Sequence, residues 1–172
     1  MGILNARREV RTINDLLSGA EREARQGGEG LPGPEHLLIS AVELADGTAA
    51  QALARFGVDA PALRTAIEQT HAAALAGVGL ADLSPTDGES TGGSPAPATG
   101  VFRSTPQAQQ VFQEAVALSK TTKPSRLLGA HVVAAISSLE HGTAARVLAS
   151  LGIDRSQLRT AALDATHGET PQ

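Results

Sequence analysis

Residues 33–66 read GPEHLLISAVELADGTAAQALARFGVDAPALRTA, and residues 128–161 read LGAHVVAAISSLEHGTAARVLASLGIDRSQLRTA. The second stretch repeats the first without a gap, 95 residues further on, in the register set by His36 and His131. The same offset aligns Gly47-Thr48-Ala49-Ala50 with Gly142-Thr143-Ala144-Ala145. It also aligns Gly57 and Asp59 with Gly152 and Asp154, and Leu63-Arg64-Thr65-Ala66 with Leu158-Arg159-Thr160-Ala161. Between these matches the apolar positions exchange one hydrophobic residue for another (Leu53/Leu148, Val58/Ile153, Phe56/Leu151). A common register with apolar replacement is the signature of one packed unit used twice.

Outward from the repeat, the spacing is helical. Val10, Ile13, Leu16, Leu17, Ala20 and Ala24 form an apolar stripe, with charged residues on the other side, so a helix follows a loose arm over 1–8. The Gly-rich run 26–32 ends it, and Pro34 suits the first turn of the next helix, which runs to about Leu44. Asp46-Gly47 breaks the chain before a third helix, Thr48 to Phe56, closed by Gly57. Asp59 caps a fourth, which reaches about Leu75. The second half repeats this plan. Thr105-Pro106 opens a helix to about Lys120; further helices span about Leu128 to Glu140 and Thr143 to Leu151. Asp154 with Gln157 opens the last in a capping-box pattern. Residues 78–100 are Gly, Ser, Pro, Thr and Asp with few apolar side chains, the composition of a flexible tether. The expected organisation is therefore a first repeat over 9–75, a linker over 76–101, a second repeat over 102–165 and a polar tail over 166–172. The expected fold is all-α: two four-helix units, pseudo-twofold related, with a groove between them.

Composition points the same way. Aromatic residues make up 2% of the chain, while 41% is hydrophobic, largely Ala, Leu and Val, which favours close helix packing over sheet. There is no cysteine, which removes disulfide and thiolate chemistry and suits a cytoplasmic location. The first ten residues lack the apolar run of a signal peptide, and no later run is long enough to span a membrane. A net charge of −4, no basic tract and few aromatics argue against a nucleic-acid partner. No nucleophile elbow, H-E-x-x-H or cysteine nucleophile is present, so no catalytic residue is assigned and no cofactor is expected.

The motif set, namely Gly-x-Glu-His-Leu-Leu at 33–38, Gly-x-Ala-Ala-x-x-Leu, Gly-Val-Asp-x-x-x-Leu and a helix opening on Thr105-Pro106, resembles the double repeat at the N-terminus of Clp-family AAA+ unfoldases. The likeness is to the actinobacterial and Gram-positive type that feeds the Clp protease, over about residues 9–75 and 102–165. Those unfoldases continue into ATPase modules, whereas this sequence has no G-x-x-x-x-G-K-[ST] phosphate loop. The resemblance implies a stand-alone relative of the N-domain or an excised regulatory domain, with a linker longer than is usual in the family.

It also implies sites. Some members bind phosphorylated arginine, a degradation mark, through the Glu before the repeat His and a Thr opening the repeat's first helix. The first repeat here has Glu35 but Val10 at the Thr position; the second has Thr105 but Ala130 at the Glu position. Glu35 is equally a favourable first-turn residue at a helix N-terminus. Related domains bind substrates, adaptors and cyclic peptide antibiotics beside these helices. Ser104, Gln109 and Gln113 are the matching positions, with Phe102 as either an exposed anchor or a staple into the core. His36 and His131 read as structural histidines near helix starts, since no ligand motif joins them to His71, His141 or His167; no metal is expected. Asp59 and Asp154 read as caps. The expected partners are peptide or protein substrates, phosphoarginine-marked proteins or cyclic peptides, and a Clp ATPase. The expected role is that of a non-enzymatic decoy or accessory, with an adaptor as the alternative.

Overall fold

The repeat is imprinted first on the turns. Gly57 and Gly152 both sit at φ 69°, a left-handed conformation that glycine adopts without penalty. Each closes a helix in the same way: the next residue's N–H reaches back five residues, Val58 to the Leu53 carbonyl (3.3 Å) and Ile153 to that of Leu148 (3.0 Å). Two residues on, an aspartate starts the next helix. The Asp59 carboxylate accepts the Ala62 N–H and the Asp154 carboxylate that of Gln157, each at 2.9 Å.

The structure is a computed structural model that describes residues 2–77, 103–123 and 125–167. The described residues form eight helices and no strand: α1 Gly2–Gln26, α2 Pro34–Glu43, α3 Thr48–Ala54, α4 Ala60–Gly77, α5 Pro106–Thr121, α6 Gly129–Ile136, α7 Thr143–Ser150 and α8 Arg155–His167. Most of the expected linker, Phe102 within the second repeat, and the tail beyond His167 lie outside the described residues. No single described helix is long and apolar enough to cross a membrane.

The two repeats do not fold as separate units on a tether. They share one core, whose members run from Leu16 to Ala165 and draw on both halves. The helices pair across the repeats: α3 packs on α8, its counterpart α7 packs on α4, and α2 packs on its own counterpart α6. That reciprocal pattern is a pseudo-twofold axis passing between α2 and α6. Both helices are buried nearly end to end, so they read as apolar on all sides. Close approach depends on small residues. A Cβ at Gly129 would meet the Ala41 carbonyl oxygen at 2.7 Å and the Ala49 methyl at 2.9 Å, and one at Gly19 would meet Ser40 Oγ at 2.2 Å. That same hydroxyl donates to the Leu16 carbonyl (2.7 Å), tying α2 to α1.

Several local expectations need correction. Residues 2–8 of the expected arm are the first part of α1. Val10, at the N-terminal end of the apolar stripe, is not buried with it and is 58% exposed. The third helix ends at Ala54, and the fourth runs two residues further, to Gly77. α6 stops at Ile136, short of Glu140, because Ser137 Oγ donates to the Val133 carbonyl and the next two residues tighten into three-residue turns. The carbonyl of Ala134 that this leaves is taken by Arg159 Nη1 at 3.0 Å, and that of Leu139 by Arg155. Thr166 belongs to α8 and is buried, not part of a polar tail.

Candidate functional site

Glu35 stands in the first turn of α2, in the loop-and-helix corner where α1, α2 and α4 meet. His36 beside it is 3% exposed, and its Nδ1 accepts the Gly33 N–H at 3.0 Å. His131 does the same for the Leu128 N–H at 3.0 Å. With Nδ1 an acceptor, the ring proton sits on Nε2. In the second repeat that N–H meets Thr122 Oγ1 at 2.8 Å. Burial holds His131 well below the usual histidine range, at about 4, so it is neutral in the fold. In the first repeat the residue equivalent to Thr122 is Gly27, and His36 Nε2 instead faces Glu29 Oε2 at 3.9 Å.

The Glu35 side chain is 7% exposed, and among the described residues no hydrogen bond reaches its carboxylate. Oε1 lies 3.8 Å from His36 Nδ1, which offers only a lone pair, and 3.9 Å from His71 Nε2. The carboxylate is folded back over Gly33, where a Cβ would come within 2.7 Å of both oxygens. Leu128 occupies the equivalent place in the second repeat, opposite Ala130. A carboxylate this shielded, still in reach of water, gains from a nearby cation.

Thr105 caps α5: its Oγ1 accepts the Ala108 N–H at 3.2 Å, leaving the hydroxyl proton to donate elsewhere. Its own N–H donates to the Pro32 carbonyl at 3.1 Å. The start of α5, in the second repeat, therefore lies against the turn that opens α2, in the first. No acidic residue stands in the first turn of α5. Just before it, Ser104 is buried, and its hydroxyl has no hydrogen-bond partner. Arg103 is exposed. Gln109 and Gln113 are exposed one turn apart along α5, and Phe102 lies outside the described residues. Val10 and Ala130 are unlike each other: the first is exposed, and the second is fully buried with its N–H on Thr48 Oγ1 (2.9 Å).

Sequence reasoning missed Glu29 and His71. His71 Nδ1 meets Glu29 Oε1 at 2.9 Å, and donor atoms of Glu29, Glu35 and His71 lie within 4.8 Å of one another. The three come from a loop, the start of α2 and the second half of α4, so no short spacing announces them. A surface depression lies elsewhere, between the end of α3 and α8, lined by Arg55, Phe56, Asp154 and Gln157; none of the expected ligand-binding residues lines it.

Comparison with known proteins agrees with this architecture. The model of the Clp repeat (R) N-terminal domain family matches residues 11–88 and 103–172. The chaperone protein ClpD1, chloroplastic, of Oryza sativa subsp. japonica is 30% identical over 154 residues; the match takes in 87% of this chain and 15% of that protein's length. The crystal structure of the N-terminal domain of the caseinolytic protease associated chaperone ClpD from Arabidopsis thaliana has the same fold. It shows a TM-score of 0.58 at 21% identity, over 94% of this chain and 93% of that one. By its two matched repeats, with the all-helical architecture of the described residues, the chain belongs to the Clp repeat N-terminal domain family.

Proposed function

We propose that the chain is a non-enzymatic binding module of the Clp protease system that takes a phosphoarginine-bearing peptide at one site built across its repeats. The observation that carries this reading is the hydrogen bond from Thr105 N–H to the Pro32 carbonyl, which sets the start of α5 against the start of α2. On this reading Glu35 of one repeat works with Thr105 of the other, and by the pseudo-twofold relation the counterpart pair is Val10 with Ala130. One corner keeps both components and the other keeps neither. At the intact corner, the donor-free carboxylate of Glu35 suits a guanidinium. The Thr105 and Ser104 hydroxyls, Arg103 and the N-terminus of α5 suit the phosphate. At the other corner Leu128 also fills the space that Gly33 leaves for a carboxylate.

In a cytoplasmic setting, such a module would act as a sequestering decoy or accessory for marked substrates, or for cyclic peptides held by Phe102, Gln109 and Gln113. A second reading, that it serves as the regulatory N-terminal domain of a Clp ATPase, is supported by the rice chaperone, in which the matched segment is a small part of the length. An adaptor that docks on a Clp ATPase would instead co-elute with the hexamer. The test is fluorescence anisotropy with a peptide carrying phosphoarginine and its unmodified twin. The expected result is at least about tenfold preference for the phosphorylated peptide, abolished by Glu35→Ala. Equal binding of both peptides, or of neither, refutes the reading. A cyclic peptide whose binding is weakened by Phe102→Ala would favour the antibiotic-sequestering role.

A further inference from the structure

We propose that Glu29, Glu35 and His71 form a binding site for a zinc-class divalent cation, present in the first repeat alone. Each ligand is held in place by the fold. Glu29 is fixed by the loop that ends α1, where its N–H donates to the Ala24 carbonyl at 2.8 Å and Gly28 turns through φ 77°. Glu35 is fixed by burial over Gly33. His71 is fixed by α4, which Arg64 ties to α1 through a two-pronged contact with Glu23 at 3.0 and 2.9 Å. His71 lies seven residues beyond Arg64, two helical turns along the same face.

The chemistry is that of a cation site. Two carboxylates and one imidazole offer two negative charges and a mixed oxygen and nitrogen donor set, which suits zinc and its neighbours better than calcium or magnesium. The three donors lie within 4.8 Å, and ligands sharing a tetrahedral zinc lie about 3.4 Å apart, so small side-chain shifts close the site. Glu35 adds a shielded carboxylate, its side chain 7% exposed, with the ring nitrogens of His36 and His71 at 3.8 and 3.9 Å from its Oε1. Glu29 and His71 are 32% and 29% exposed, which leaves a way in from solvent. His36 cannot join as a ligand without surrendering its bond from Gly33; its Nε2 proton faces Glu29 Oε2 at 3.9 Å. In the second repeat the three ligand positions hold Pro124, Ala130 and Thr166, none of which would bind such an ion.

The site does not depend on the peptide reading, although it shares Glu35 with it, and the two are separable. The experiment is calorimetric titration of the untagged chain with zinc chloride, alongside His71→Ala, Glu29→Gln and Thr105→Ala, with a thermal melt of each with and without metal. The expected result is one zinc per chain, weakened at least about tenfold by His71→Ala and by Glu29→Gln, and unchanged by Thr105→Ala. Zinc should raise the melting temperature of the parent chain and not that of His71→Ala. Absence of binding, or binding that both ligand variants leave intact, overturns the proposal. Loss of peptide binding in Thr105→Ala with zinc binding retained bears on the peptide reading alone.

Discussion

His36 and His131 stand at equivalent places and make the same backbone bond, yet their second nitrogens face different groups: a neighbouring carboxylate in one repeat, a threonine hydroxyl in the other. Their equivalence was legible in the sequence because they anchor the register. The difference was not, because it turns on Gly27 against Thr122 and on Glu29, which are remote from both histidines in any short motif. The buried, neutral state of His131 has a consequence for pH. Its folded pKa is about 4, against an unfolded value near 6.5, so below the unfolded value the unfolded chain binds the additional proton. Stability should therefore be full above about pH 6.5 and fall by up to about 1.4 kcal/mol per pH unit toward pH 4. Glu23 acts in the next window down. Its hydrogen bond to Arg64 holds its carboxyl below the usual range, and that contribution is lost as pH falls through its folded pKa, below 4.5. Urea unfolding as a function of pH checks the first effect: His131→Gln should be destabilised at neutral pH and should flatten the slope between pH 6.5 and 4.

Between elements, the twofold relation is approximate, and its defects are informative. Asp46 Oδ2 accepts the Gly129 N–H at 3.0 Å, and Thr48 Oγ1 accepts that of Ala130 at 2.9 Å, so the first repeat caps α6 of the second. Among the described residues no matching pair of bonds caps α2, and in the place of Gly129 stands Pro34, which has no N–H to offer. Asp46→Ala should cost about 1 kcal/mol in equilibrium unfolding, whereas His141→Ala at the equivalent place should cost much less. At the crossing of α2 and α6, Gly129→Ala puts a methyl where the Ala41 carbonyl stands and should cost about 1–3 kcal/mol. Helix existence and the paired turns followed from spacing and from Gly57 and Gly152. The end of α6 did not, since nothing local in Ser137-Ser138-Leu139 reveals that Arg159 and Arg155 will take its last carbonyls.

For the whole molecule, the sequence supplied the repeat and the structure supplied how the copies meet. Sequence comparison aligns Glu35 with Ala130 and Val10 with Thr105, which makes two damaged half-sites. The pairing of α3 with α8 and α4 with α7 crosses the repeats, and the Thr105–Pro32 bond joins the two helix starts; on the proposed reading the same residues make one whole site and one empty one. A core drawn from both repeats also means that neither should unfold alone, so fluorescence from a tryptophan placed at Phe56 and one placed at Phe112 should report a single, coincident urea transition. The most direct test of the central claim is the stoichiometry of phosphoarginine, by calorimetry, on the parent chain and on Glu35→Ala, Thr105→Ala and Val10→Ala. The account predicts one ligand per chain, lost in both Glu35→Ala and Thr105→Ala and untouched by Val10→Ala. Two ligands, no ligand, or loss in only one of those two variants would contradict a site shared between the repeats.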